Sequence, residues 1–274
     1  MEQFKRDIKQ NSSKLHLDQY FTPADLAQRC IDTAFTVIGK HNVTDVIEPS
    51  AGTGVFSSKL DNCIAYDIEP KCQGIIQADF LSLDIPYKKG TLVIGNPPFG
   101  SRGNLMQKFC KHSFNFADYV AFILPINQLN NTMSIYQFDL IHSEDLGVAN
   151  YSGKDVNCCF NVYKRPTNGL NFKPDYRTEV IEVREVIKNK NPKRNRELDG
   201  FEYDIAICAW GNVGKECVEG QYAKTFYIKI KDSVNFDYYK NLILSADWCN
   251  LYKMTGSPNL LQWQLFKYVK ENQV

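Results

Sequence analysis

Val43-Thr44-Asp45-Val46-Ile47-Glu48-Pro49-Ser50-Ala51-Gly52-Thr53-Gly54-Val55-Phe56 is the stretch on which the fold turns. The run Val43–Ile47 reads as a buried strand. It passes into an acid, a proline and a turn containing Gly52 and Gly54. Two glycines so placed predict a tight strand-to-helix turn, where missing side chains let a ligand approach the backbone and the helix N-terminus. A lone G-x-G is weak evidence by itself, because ordinary glycine turns carry it too.

Upstream, Leu26, Ala27, Cys30, Ile31, Ala34, Phe35 and Ile38 recur at helical spacing. Thr22 suits an N-cap, Pro23 a first helical turn and Gly39 the helix end. Downstream, Ile64–Tyr66, Gly74–Gln77 and Thr91–Ile94 read as three further buried strands. Leu105–Phe116 reads as a helix, Tyr119–Leu124 as a strand and Cys158–Tyr163 as the last strand of the sheet. Near-continuous apolar strands alternating with helices predict an α/β fold with a doubly wound, mostly parallel sheet. Ligands bind such a sheet at its switch point, outside the carboxyl ends of the strands. Lys164–Gly169 reads as a turn or linker. Beyond it the pattern turns β-like over Val180–Val186, Tyr203–Trp210 and Phe226–Ile230, then helical near Phe236–Ser245 and Leu260–Val269. The expected organisation is an arm over 1–17, a nucleoside-binding domain over 18–165 and a smaller α+β domain over 170–274.

The chain has 274 residues, 43% hydrophobic and 23% charged, which suffices for one large domain with a small companion. Lys+Arg is 32 and Asp+Glu 31, so the whole chain is neither a basic coat nor an acidic tail. Residues 1–163 carry 14 basic and 17 acidic residues, and residues 164–274 carry 18 and 14. Nine cysteines form no C-x-x-C pair, and none has zinc-ligand spacing with the four histidines, so no metal site is expected. The odd count points to free thiols in a reducing cytoplasm. The first residues lack the apolar core of a secretory signal, and no run is long enough to span a membrane. A soluble cytoplasmic protein is expected.

Each strand end carries an informative residue. The second ends Tyr66-Asp67-Ile68-Glu69-Pro70, and an acid at that place can accept both ribose hydroxyls of a nucleoside. The third ends Ala78-Asp79-Phe80, a carboxylate to hold an adenine amino group and a ring to cover it. Singly these acids are ordinary capping carboxylates; in this order they describe a pocket for an adenosyl group. The fourth ends Gly95-Asn96-Pro97-Pro98-Phe99-Gly100. Two prolines stiffen the backbone and remove two amide donors. The Asn96 side-chain oxygen and the Pro97 carbonyl remain as acceptors, with Phe99 as a flat ring. Such a site grips a planar NH2 group and stacks on its heterocycle. Drawing the nitrogen out of conjugation frees its lone pair to attack an electrophilic methyl group.

On these segments, together with Tyr20-Phe21-Thr22-Pro23, the chain resembles S-adenosylmethionine-dependent DNA methyltransferases of the adenine-N6 type, in the class with a C-terminal target-recognition domain. The resemblance covers roughly residues 18–165. It implies a Rossmann-like methyltransferase sheet and S-adenosyl-L-methionine as cofactor. Phe21, Thr22 and Pro23 would contact the methionine moiety, and Glu48 would lie near its ammonium group. Ser50, Ala51, Gly52, Gly54 and Ile68 would line the cofactor, and Asp67, with Glu69 second to it, would hold its ribose hydroxyls. Asp79 and Phe80 would take the adenine. Asn96 would border the cofactor and, with Pro97, Pro98 and Phe99, carry the chemistry. Phe160, on a late strand, is the candidate second aromatic over a target base flipped out of double-stranded DNA. Arg102, in the loop after Phe99, could reach a phosphate. A separate restriction endonuclease is a partner that such an enzyme can have.

The segment Lys164–Arg196 has ten Lys/Arg and four Asp/Glu. Lys193, Arg194 and Arg196 are candidate phosphate contacts, the alternative being a solvated charged loop. Sequence specificity is expected in residues 170–274, with the substrate between the domains. RNA adenine-N6, DNA cytosine-N4 and protein glutamine-N5 methylation use similar motifs. The upstream Thr-Pro segment and the basic C-terminal part weigh against the last. A cofactor-binding DNA-binding subunit without activity would not need an intact Asn96-Pro97-Pro98-Phe99.

Overall fold

The computed structural model describes residues 22–100, 103–151, 154–188, 191, 193, 195–254 and 257–274, excepting the side chains of 151 and 154. By compactness the chain divides into two units, Met1–Lys173 and Pro174–Val274.

In the first unit, helix α1 (Ala24–Ile38) precedes strand β1 (Asp45–Glu48). Then follow β2 (Cys63–Asp67), β3 (Ile76–Gln77), β4 (Thr91–Gly95), α2 (Asn104–Phe116), β5 (Tyr119–Pro125), β6 (Asp139–Tyr151) and β7 (Lys154–Lys164). They form one seven-stranded sheet in the order β3-β2-β1-β4-β5-β7-β6. The pairs β2–β3, β1–β2, β1–β4 and β4–β5 are parallel, and β5–β7 and β6–β7 antiparallel. The chain winds outward from β1 to β3 and returns to β4, so its switch point lies between β1 and β4. This is the doubly wound, mostly parallel Rossmann-like sheet that the apolar runs predict.

Alternation within the runs sends side chains to two apolar layers. Val46, Leu92, Ile94, Ala121 and Ile123 meet Ala27, Cys30, Ile31 and Ala34 of α1. Ile47, Val93, Val120, Phe122 and Leu124 meet Met106, Phe109, Cys110 and Phe114 of α2. Each such aliphatic or aromatic side chain contributes about 1.5–3 kcal/mol by leaving water. The adjacent cysteines divide in the same way, Cys158 into the α1 layer and Cys159 into the α2 layer.

Three expectations need correction. The strands β2 and β3 are not fully buried: β2 has Ala65 at 4% but Ile64 at 44% exposure, and both residues of β3 are exposed, Ile76 at 50%. The reason is that no α-helix lies between β1 and β3. Residues 49–62 are spent on turns and a 3-10 turn at Ser57–Lys59, and residues 68–75 are too few for a helical crossover. Thr22 does not cap α1, whose start carries no side-chain cap; Pro23 is the flanking residue. Strand β6 was missed. It is a polar edge strand with two register shifts, between Leu140 and His142 and between Asp145 and Gly147, so it shows no apolar run.

The second unit holds an antiparallel sheet, β8 (Ile181–Ile187), β9 (Ile205–Cys208) and β10 (Lys224–Ile230), in the order β8-β10-β9. Helices α3 (Phe236–Ser245), α4 (Trp248–Leu251) and α5 (Gln262–Glu271) follow. Ile205, Ile207, Phe226 and Ile228 pack with Tyr239, Ile243, Trp248, Leu265 and Val269. It is a small α+β unit.

The division at residue 173 redistributes the charges. Residues 1–173 carry 17 basic and 17 acidic residues, and residues 174–274 carry 15 and 14. The second unit is therefore close to neutral. Lys164, Arg165 and Lys173 produced the apparent asymmetry, and they belong to the first unit. Arg165 is structural. It donates to the Phe114 and Ala117 carbonyls at 2.6 and 2.8 Å, closing α2, and lies over Phe138.

Candidate active site

Because β2, β1 and β4 are adjacent and parallel, their carboxyl ends bring three loops together: Glu48–Gly54, Asp67–Glu69 and Asn96–Phe99. Glu48 ends β1 at 1% exposure. Its Oε2 accepts the Ser57 amide at 2.8 Å. Burial pushes this carboxyl up to about 7; hydrogen bonds from Ser57 and Phe56 oppose the rise, and nearby Asp67 adds to it. Among the described residues no Lys, Arg or His side chain is paired with it. A buried carboxylate without a cation is costly, and it suits a cationic ligand.

Asp67 ties the glycine turn to the second loop. Its Oδ2 accepts the Gly52 amide and its Oδ1 the Glu69 amide, both at 2.7 Å. Each carboxylate oxygen has a second acceptor position, so ribose hydroxyls can still be received there. Gly52 and Gly54 have φ of +52° and +75°, which favour glycine. The chain then turns rather than entering an α-helix, so the expected helix N-terminus is not part of this site. Ala51 is buried and Ser50 half-buried. Ile68 is 58% exposed, an apolar side chain beside Asp67.

Asp79 is exposed and caps the 3-10 turn Phe80–Ser82 by accepting the Leu81 amide at 3.0 Å. Phe80 cannot cover a ligand ring, contrary to expectation. It is 2% exposed, stacked on Phe109 at 5.5 Å and edge-on to His112 at 4.9 Å. The turn that Asp79 caps directs the next side chain into the α2 layer.

Asn96, half-buried, donates from Nδ2 to Thr22 Oγ1 at 3.1 Å. Its carbonyl accepts from Ser50 Oγ at 3.3 Å. Pro97 is buried, and Pro98 and Phe99 are half-buried. Phe99 borders both apolar layers. Its carbonyl accepts the Leu105 and Met106 amides at 3.2 and 3.4 Å, which seats the start of α2 on the motif. Gly100 makes this possible, at φ +69° with space for no Cβ: one would stand 2.6 Å from Leu105 Cβ. Gly100→Ala is expected to lower stability by roughly 1–3 kcal/mol. Unchanged melting would refute this account of the turn.

Phe160 is a second correction. It is fully buried in the α1 layer, paired in register with Ile123, and offers no face to a base. Phe21, Arg102 and Arg194 lie outside the described residues. Lys193 is exposed. Arg196 is paired with Glu185, which also holds Lys224 at 3.2 Å, and its backbone bridges Ile187. It is thus a brace on β8. The links from Thr22 and Ser50 to Asn96 were not foreseen; they span 74 and 46 residues, and no local pattern announces them.

No protein-family model matches the chain. Among curated proteins it is similar to the type II methyltransferase M.CvrRI of Paramecium bursaria Chlorella virus XZ-6E. The two are 24% identical over 205 residues, 60% of this chain and 52% of that protein. The chain thus spans about half the length of this relative. Three solved structures are similar to the chain at low identity. The Pyrococcus horikoshii protein PH1948 is 19% identical over 54% of this chain and 87% of that one, with TM-score 0.44. The 23S rRNA methyltransferase ErmE is 14% identical over 56% and 72%, with TM-score 0.42. The magnesium protoporphyrin IX methyltransferase of Synechocystis PCC 6803, solved with bound SAM, is 10% identical over 51% and 79%, with TM-score 0.39.

Proposed function

We propose that the chain is an S-adenosylmethionine-dependent methyltransferase acting on the exocyclic N6 of an adenine flipped out of DNA. The observation that carries this reading is the meeting of Asn96-Pro97-Pro98-Phe99 with the Glu48, Gly52 and Asp67 loops at one end of the sheet. The similarity to a viral type II methyltransferase supports it.

The residues suit the cofactor. Glu48, buried and without a cationic partner among the described residues, would hold the ammonium group. Thr22 and Pro23 would lie along the methionine moiety. The small residues Ala51, Gly52 and Gly54 would admit its backbone, Asp67 would take the ribose hydroxyls, and Asp79 the adenine amino group. Ile68 offers an exposed apolar surface for the adenine ring. The bound cofactor would supply a methyl group on a sulfonium, an electrophile needing no activation.

The chain's own task is to present the nucleophile. Asn96 Oδ1 and the Pro97 carbonyl accept both hydrogens of the target NH2, drawing its lone pair toward the methyl group. The nitrogen so presented would take the methyl group that the cofactor supplies, and its proton would then pass to water. No general base is required. Phe99 stacks on the base, and stacking of about 1–3 kcal/mol offsets part of the few kcal/mol spent on flipping.

The near-neutral second unit would recognise the target. Lys193→Ala is expected to reduce the slope of log affinity against log salt by about 0.9, one phosphate contact. Arg196→Ala should leave the slope nearly unchanged and loosen β8, because its guanidinium is committed to Glu185. Equal effects of the two on the salt slope would contradict that distinction. The deciding experiment for the function incubates the chain with methyl-labelled cofactor and, separately, DNA, RNA and protein. N6-methyladenine in DNA is expected. Label only in RNA, in N4-methylcytosine or in glutamine would replace this reading with the corresponding alternative.

A further inference from the structure

Asn96 is held by hydroxyl groups from two other stretches of chain. Thr22 Oγ1 accepts from its Nδ2 at 3.1 Å, and Ser50 Oγ donates to its backbone carbonyl at 3.3 Å. All three residues are half-buried. Thr22 stands just before Pro23, whose carbonyl receives the Ala27 amide at 3.0 Å in the first turn of α1. Helix α1 is fixed on the sheet through the buried Ala27, Cys30, Ile31 and Ala34. Ser50 directly follows the buried Glu48 and Pro49. Both hydroxyls therefore sit on segments anchored by the core.

An asparagine amide is a fork with a donor arm and an acceptor arm of nearly equal shape. Its terminal torsion is broad and roughly two-fold, so rotation exchanges the arms at little cost. Facing an amino group, only the acceptor arm is productive; the donor arm opposes hydrogens to hydrogens. A partner that accepts from the amide NH2 anchors the donor arm and sends the oxygen to the other side. Engaging the donor also polarises the amide and strengthens the oxygen as an acceptor.

We propose that Thr22, assisted by Ser50, is a positioning residue whose hydroxyl fixes the Asn96 amide in the orientation that accepts the target amino group. This rests on the function proposed above. It gives the segment ahead of α1 a part in the chemical step as well as a place beside the cofactor.

Kinetics on the full chain with labelled cofactor and DNA test the proposal, with cofactor Kd measured separately by calorimetry. Thr22→Val keeps the shape and removes the hydroxyl. It is expected to lower kcat on the order of 10- to 100-fold, as a misplaced reacting group does. Thr22 would also border the cofactor, so the discriminating reading is the split: kcat at saturating cofactor should fall at least about tenfold more than cofactor affinity does, the DNA KM should stay within about threefold, and Thr22→Ser should return kcat to within about threefold of the parent. A Thr22→Val chain with parental kcat overturns the proposal and leaves the function standing. So does a loss of rate matched by an equal loss of cofactor affinity. Should Thr22→Val not fold, Thr22→Ala, which also removes the hydroxyl, carries the same test: a kcat reduced more than cofactor affinity supports the clamp, and parental kcat overturns it. A parent chain that methylates nothing overturns the clamp together with the function on which it rests.

Discussion

Replacing Asn96 by alanine is expected to abolish methyl transfer while cofactor binding survives. In the proposed mechanism two acceptors hold the target nitrogen, and one of them is the Asn96 side chain. Its removal leaves the Pro97 carbonyl alone, so the amino group can rotate and its lone pair returns to the ring. Loss of one such preorganised polar group costs on the order of 100- to 1000-fold in rate. The cofactor pocket should be little affected, because the Ser57 amide holds Glu48 and the Gly52 and Glu69 amides hold Asp67, with no bond through Asn96. Asp67→Ala should do the reverse, weakening cofactor affinity and loosening the glycine turn. Single-turnover rates with calorimetric affinities separate the two. Normal turnover by Asn96→Ala would sink the mechanism.

Glu48 is expected to make cofactor affinity rise with pH through about 7. Below that pH burial keeps the carboxyl protonated, and a neutral acid does not attract an ammonium group. The titratable groups facing it are Asp67 and the Cys63 thiol, which burial pushes up to about 12, so the thiol stays neutral here. Affinity should be roughly tenfold weaker at a pH of about 6 than at about 8. Glu48→Gln should weaken binding at high pH and lack this dependence, its residual profile reporting the ligand's own titration. Equal pH profiles for the two chains would contradict the role.

The same carboxyl affects stability with the opposite sign. Its pKa is raised on folding from 4.5 to about 7, so its contribution is fully present below 4.5 and lost as pH rises through about 7. Without cofactor, Glu48→Gln should therefore be the more stable chain at neutral and higher pH, by on the order of 3 kcal/mol. Glutamine can still accept the Ser57 amide. Melting curves against pH should show the gap opening between 4.5 and 7. A buried acid without a cation among the described residues thus trades stability for binding.

Much of the first unit is legible along the chain. The runs around Val46, Leu92 and Ala121 reveal the central strands because both of their faces are buried, so every residue must be apolar. The Asn96-Pro97-Pro98-Phe99 motif is equally plain, since its chemistry depends on consecutive residues. At the sheet's edges the signal fades. Strand β6 has an exposed side and two register shifts, and β3 is two exposed residues. Polar edge strands carry no run to find.

Phe80 and Phe160 mark the limit within the site. Each follows or lies near a chemically telling residue, yet both are core side chains. Whether an aromatic points to a ligand or into a layer depends on the turn before it and the strand register, which are tertiary facts. Arg196 teaches the same about charge: along the sequence it is a candidate phosphate contact, but its guanidinium is committed to Glu185. By itself the sequence determined the doubly wound core and the acceptor motif, because periodicity and adjacent residues encode them. Only the tertiary structure decided which side chains face the site, and that Thr22 reaches Asn96 across 74 residues, because burial and hydrogen bonding join residues that no local spacing relates.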